Sequence, residues 1–273
     1  MRALFVVLLA AAALPAAAQA DAEVFASAAV VRAPRPVRAA PPAEVDVDTA
    51  PAYYVTRPQT AVRQAPDPAA AVLVTLRTRD GVRVLDAATA SDSSDWRMVQ
   101  VGAVRGYVRA DEISNVWLRV DKSNRTVYVY RGADLVRELP ADVSVNPEDK
   151  VRRSGMGESE HYRIPEGTFF VTRRNDDSNY YRAFVISYPD PAHAQRGFES
   201  GLITRAELDA IVRADQDGVE PPMGTMLGGL IEVHGQGSGR RRAWTRGCVA
   251  LRNVHMDELW AYVEVGTPVV IEP

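Results

Sequence analysis

Cys248 is the only cysteine among 273 residues, and His234 is one of four histidines. Both fall in one stretch, Leu230 to Asn253, which reads L-I-E-V-H-G-Q-G-S-G-R-R-R-A-W-T-R-G-C-V-A-L-R-N. A thiol with an unperturbed pKa of about 8.5 is mostly protonated at neutral pH. An imidazole within reach can take that proton or stabilise the thiolate, which is what a cysteine nucleophile needs. Glycines follow the histidine and precede the cysteine. Gly235 leaves a backbone carbonyl free to orient the imidazole, the work a carboxylate does in other triads. Gly247 permits close approach of a substrate, and the N–H of Cys248, with that of Gly247, is placed to receive an oxyanion. The residue types alone leave two readings level: a catalytic pair, or an inert buried cysteine beside a structural histidine.

Two elements must hold this pair. Leu230 to His234 has the alternation of a strand, with Ile231 and Val233 toward a core and His234 at its end. After the cysteine, Asn253 is a candidate N-cap. Met256, Leu259, Trp260 and Val263 then follow at the spacing of one apolar helix face. Upstream, Val116 to Arg131 reads as a hairpin, Trp117 to Val120 and Thr126 to Tyr130 around a polar turn. Thr168 to Thr172 and Tyr181 to Tyr188 read as strands joined by the polar loop R-R-N-D-D-S-N. Thr204 to Glu207 is a capping box, with Ile203 and Leu208 as a staple, for a helix over about Arg205 to Ala214. The segment 191–228 stands equally as a lid over substrate or as a structural insert. Pro268 to Ile271 closes the chain as a strand.

The central stretch resembles the L,D-transpeptidase catalytic domain (YkuD family). Its pattern is H-G, a variable loop, [S/T]-x-G-C, then Asn and a helix. The match continues through H-M-D-E-L-W and V-G-T-P-V-V-I, and upstream through V-D-K-S-N-R-T-V-Y-V-Y and I-P-E-G-T-F-F-V. The resemblance implies that Cys248 attacks the carbonyl of the third residue of a peptidoglycan stem peptide. The following D-residue then leaves a thioester acyl-enzyme, and His234 moves the protons. An amine acceptor, a second stem or a wall-anchored protein, gives transpeptidation; water gives hydrolysis. Thr245, Arg246 and Asn253 are the substrate-binding candidates, and the resemblance implies no metal and no organic cofactor. Arg246 stands where many members have histidine and Ala250 where many have arginine, which leaves the acceptor open. W-T-R-G-C-V-A-L is similar to the murein L,D-transpeptidase-like subgroup. A hydrolase of the same bonds and a catalytically dead wall-binding protein remain as alternatives. Of the arginines around the site, Arg246, two residues from the thiol, reads as a capturing group for substrate carboxylates.

The rest of the chain frames where this chemistry takes place. Met1 to Ala20 has a basic start at Arg2, an apolar run from Leu4 to Leu14 and the small-x-small site Ala18-Gln19-Ala20, the layout of a secretory signal. A secreted, periplasmic or cell-envelope location is expected, with no stable membrane insertion. The Ala/Pro-rich residues 21–52 read as a linker. Residues 53–114 carry short β-like runs with turns at Asp80-Gly81 and Asp92 to Asp95, and Trp96 and Met98 mark a buried face. This segment resembles bacterial Src-homology-3-like domains, which implies either a wall-peptide binder or a spacer. Residues 115–273 make the catalytic domain. The expected fold class is therefore mainly β, a small barrel followed by a β-rich transpeptidase-type domain with two short helices. A net charge of −3 offers no general argument for nucleic acid. Asp215, Asp217 and Glu220 lack the spacing of a calcium loop. His161, His193 and His255 show no partner pattern and are expected at the surface.

Overall fold

The computed structural model of the chain describes residues 49–86 and 95–273. The expected export signal, nearly all of the expected linker and the turn residues Asp92 to Ser94 lie outside the described residues. The observed fold is mainly β.

Seven strands come first: β1 (Ala52–Val55), β2 (Thr60–Arg63), β3 (Val72–Leu76), β4 (Gly81–Val84), β5 (Trp96–Val101), β6 (Val104–Arg109) and β7 (Ile113–Ser114). They form an antiparallel sheet in the order β3-β2-β6-β5-β4-β1-β7. Val55, Val62, Val82, Val84, Val99 and Val108 close its core. β-branched residues at alternate positions suit such a surface. On β5 the fully buried residue is Val99, whereas Trp96 and Met98 are only part-buried. The expected inward face is thus reversed, because the core takes the compact β-branched side chain and leaves the larger ones at the margin.

Ten more strands follow: β8 (Val116–Asp121), β9 (Thr126–Arg131), β10 (Asp134–Pro140), β11 (Val143–Ser144), β12 (Gly167–Ser178), β13 (Tyr181–Ile186), β14 (Glu232–His234), β15 (Ala243–Thr245), β16 (Val249–Ala250) and β17 (Pro268–Glu272). Eight of them form one sheet, β10-β9-β8-β17-β12-β13-β14-β16, while β11 pairs with β15. Alternate residues on each strand, Leu118 and Val120, Val127 and Val129, Phe169 and Val171, Phe184 and Ile186, supply the core. The segment Arg173 to Ser178, expected as a polar loop, is strand: it pairs with β13 across two register shifts. Its ladder is completed by backbone groups, so its polar side chains need no apolar neighbours.

Three α-helices are present among the described residues, against the two expected. α1 (Pro191–Glu199) is the addition. Asp190 caps it by accepting the His193 N–H at 2.7 Å, and Pro191 opens it, a start signal present in the sequence. α2 (Arg205–Asp217) carries the capping box of Thr204 and Glu207, and runs past Ala214 to a left-handed Gly218. α3 (Asn253–Trp260) places Met256 and Leu259 in the main core. Its N-cap is Arg252 and not Asn253, because the Asn253 side chain is engaged elsewhere. Tyr54 joins the two sheets, donating its hydroxyl to the Val116 carbonyl at 2.7 Å. Among the described residues no helix is long and apolar enough to cross a membrane.

Candidate active site

β14 and β16 pair in parallel, with Val233 opposite Val249 and His234 opposite Ala250. This register sets the two chemistry-bearing residues at the ends of neighbouring strands. β14 is shorter than expected, since Leu230 turns out of it with φ +53 and is exposed. Ile231 and Val233 fill the core as expected.

His234 is 2% exposed. Its Nδ1 lies 2.7 Å from the Gly235 carbonyl oxygen. A carbonyl accepts only, so Nδ1 carries the proton and Nε2 keeps a free lone pair. The ring stacks on Tyr180 with centroids 4.5 Å apart, and Trp244 meets it edge-on at 6.4 Å. Burial lowers the imidazole pKa, against the opposing hydrogen bond to Gly235, so the ring is neutral at physiological pH. Gly235 has no room for a side chain. A Cβ there would stand 2.7 Å from both Asn253 Oδ1 and the Tyr180 carbonyl oxygen.

The Cys248 sulfur rests on the backbone at the start of β14. Its thiol points to the Leu230 carbonyl at 3.7 Å, and the Glu232 N–H is directed at the sulfur. Glu232 lies two residues before His234, about 7 Å along the strand. Among the described contacts the thiol and the imidazole are not hydrogen-bonded to each other. Burial pushes the Cys248 thiol up to about 12, and the Glu232 carboxyl adds to the rise; the Glu232 N–H and the Lys150 ammonium oppose it. The resting thiol is therefore protonated. Gly247 holds φ +135, and a Cβ there would come within 2.9 Å of the Arg163 carbonyl oxygen, so the turn before Cys248 depends on glycine.

Cys248 opens into a cavity of about 600 Å³ that Lys150, Tyr180, Met223, Glu232 and Arg246 also line. Arg246 is exposed there, with its guanidinium over the Tyr162 ring at 5.4 Å. Thr245 and Asn253 do not line this cavity. Thr245 is 2% exposed, and its hydroxyl donates to the Cys248 carbonyl at 2.6 Å. Asn253 accepts the Gln236 N–H at 2.7 Å. Thr245 thus braces the backbone of Cys248, and Asn253, which is exposed, holds the loop at Gln236 through its side-chain oxygen.

Three groups that matter here were missed in the sequence. Asp142 is fully buried and bonds the loop between His234 and Cys248. Its signal was a lone carboxylate inside the apolar run from Ala141 to Val145. Lys150 is 3% exposed. It sits in the charged run E-D-K-V-R-R, which in sequence looks like any solvated face. His193, expected at the surface, is 2% exposed: its Nδ1 meets Asp190 at 2.7 Å and its Nε2 meets Asp149 at 3.2 Å. Asp190 is the N-cap of its own helix, three residues away, but Asp149 is 44 positions upstream and no local pattern announced it. No cluster that could hold a metal ion occurs among the described residues.

Residues 115–271 match the family described as YkuD, L,D-transpeptidase catalytic domain. The chain belongs to this family. Among solved structures it is similar to an L,D-transpeptidase from Xylanimonas cellulosilytica at 16% identity, with a TM-score of 0.36 over 58% of this chain and 61% of that one. It is similar to Bd1075 of Bdellovibrio bacteriovorus at 23% identity, TM-score 0.36, over 58% of this chain and 48% of that one. An L,D-transpeptidase from Mycobacterium smegmatis aligns at 13% identity, TM-score 0.35, over 65% and 67%. The chain spans less than two thirds of the length of the first two. No protein with a curated description matches the chain.

Proposed function

We propose that this chain is an exported, cysteine-dependent L,D-transpeptidase acting on peptidoglycan stem peptides. Residues 53–114 serve it as a Src-homology-3-like module, and Cys248 is its nucleophile. The observation that carries this reading is the pairing of a proton-accepting Nε2 on His234, fixed by the Gly235 carbonyl, with a thiol at the edge of the adjoining strand in an open cavity.

In the first half-reaction the thiol proton passes to Nε2 of His234 as sulfur attacks the carbonyl carbon of the stem's third residue. The C–N bond to the following D-residue then breaks, and the same proton leaves on its amine. A thioester remains. In the second half-reaction an acceptor amine attacks the thioester carbon, gives its proton to Nε2, and the thiol is restored. With the thiol raised and the imidazole lowered, the transfer is uphill on its own, so the proton moves in concert with formation of the C–S bond. N–H groups of Gly247 and Cys248 are the candidates for the oxyanion, where one donor is worth about 3 kcal/mol of barrier.

Incubation of the purified chain with tetrapeptide muropeptides tests the proposal. Dimers or amine-exchanged products, with a thioester adduct on Cys248 by intact mass, are expected. Release of the terminal residue alone assigns the hydrolase. Intact wall binding without any adduct assigns the dead binder.

A further inference from the structure

Lys150 lines the same cavity as Cys248 and is 3% exposed. Among the described residues, no carboxylate lies within ion-pair distance of its Nζ and no acceptor is bonded to it. Its ammonium is thus reached only from the cavity and carries a charge that no protein group neutralises, and burying such a charge unpaired is costly. Arg163 disfavours its protonated form, and the Cys248 sulfur favours it only once ionised, which the resting thiol is not. Burial pushes the ammonium down to about 8, so it is still mostly charged at neutral pH.

We propose that Lys150 recognises the free carboxylate of the residue that departs from the acyl donor, and so selects donors whose leaving residue is C-terminal. This rests on Cys248 being the nucleophile. The argument is one of reach. The scissile carbonyl carbon must come into bonding distance of the sulfur. The departing residue's Cα is one peptide unit away, about 3.8 Å from the preceding Cα, and its carboxylate is one bond further. That carboxylate therefore falls inside the cavity that Cys248 and Lys150 both line. The other cations of the cavity, Arg153 and Arg246, are exposed. Water and salt screen them, so they discriminate less between charged and neutral ends. A donor that carries a carboxamide in place of the carboxylate leaves Lys150 unpaired, and a buried group left unpaired rejects a ligand more strongly than a missing surface contact does.

The test uses the full chain and two tetrapeptide donors, one with a free C-terminal carboxylate and one with a C-terminal carboxamide. The readout is kcat/KM for release of the terminal residue. Wild type is expected to prefer the acid by about 100-fold. Lys150→Met is expected to lose that preference by slowing the acid donor, with the amide donor changed less than about threefold. Lys150→Arg is expected to keep part of it. Equal slowing of both donors by Lys150→Met overturns the proposal and makes Lys150 a counter-charge for the thiolate. Equal use of both donors by wild type also overturns it. Should Lys150→Met fail to fold, the acid-to-amide affinity ratio of Lys150→Arg in a Cys248→Ala background gives the same decision by calorimetry. If wild type accepts neither donor while iodoacetamide still alkylates Cys248, the transpeptidase reading falls and this one with it. Intact donor turnover without discrimination overturns the role of Lys150 alone.

Discussion

Asp142 accepts the indole N–H of Trp244 at 2.8 Å, although the two residues stand 102 positions apart. The same carboxylate accepts the Ser238 N–H at 2.7 Å, the Ser238 hydroxyl at 2.8 Å and the Arg242 N–H at 2.9 Å. Its backbone exchanges two further bonds with Ala250, two residues past the thiol. One buried side chain thus ties together the loop that runs from His234 to Cys248. Burial works against its ionisation, and the hydrogen bonds from Ser238, Trp244 and Arg242 together outweigh it, holding the carboxyl below the usual range.

Asp142→Asn keeps the shape but removes a charged acceptor and introduces an amide N–H among donors. We expect a loss of about 3 kcal/mol in urea unfolding, together with a lower rate of Cys248 acylation. The carboxylate's folded pKa is depressed, so its contribution is present above the unfolded value of about 3.9 and is lost as pH falls through the folded one. The gap between wild type and variant should accordingly close in strong acid. A gap that persists there assigns the loss to packing.

Free Cys248 should alkylate slowly at neutral pH. With the thiol pushed up to about 12, its iodoacetamide rate should still be climbing at pH 10. A plateau near pH 8.5 would mean an ordinary exposed thiol. His234→Ala should lower the rate of acylation by a stem donor at least about 100-fold, the usual loss for a general base. A loss under threefold would leave His234 structural.

His193 is held between Asp190 and Asp149, with Arg196 also reaching Asp149 at 2.9 Å. Burial opposes the imidazolium, but the bonds to Asp149 and Asp190 prevail and raise its pKa above the usual value, while both carboxyls are lowered. The imidazolium's contribution is full below pH 6.5 and is lost as pH rises through the higher folded value; the carboxylates' contribution is lost as pH falls below about 3.9. His193→Gln should cost about 3 kcal/mol at pH 5.5 and less at pH 9. Thermal unfolding at the two pH values checks this, and an equal cost at both contradicts it.

Lys150 should be a stability liability in the free chain. Its folded pKa of about 8 lies below the ordinary lysine value of about 10.4, so folding disfavours its charge. Stability from this group rises as pH climbs from about 8 to about 10.4. Lys150→Met should therefore stabilise the chain by about 1–3 kcal/mol at pH 7, with the gain fading toward pH 10.5. Destabilisation at pH 7 would indicate that the ammonium has a partner in solution.

Much of the scaffold was legible in the residues. Alternating valines and isoleucines marked most strands, and the Thr204–Glu207 box marked α2, because these signals act over a few neighbours. The polar run Arg173 to Ser178 was not recognisable as strand, since its ladder partner lies across a turn. Asn253 was misplaced as a helix cap, because Gln236, 17 positions upstream, offers its N–H first.

The sequence by itself determined the family, the candidate nucleophile and base, and the glycines that the turns around them require. Each of these is a matter of residue type at short range. Only the tertiary structure decided what surrounds the thiol. The parallel register of β14 and β16 sets its sulfur on the backbone of Leu230 and Glu232. The chain's return past Lys150 brings a buried ammonium into the same cavity. Burial and the approach of distant charges arise from long-range packing, and they control the pKa values on which the chemistry depends.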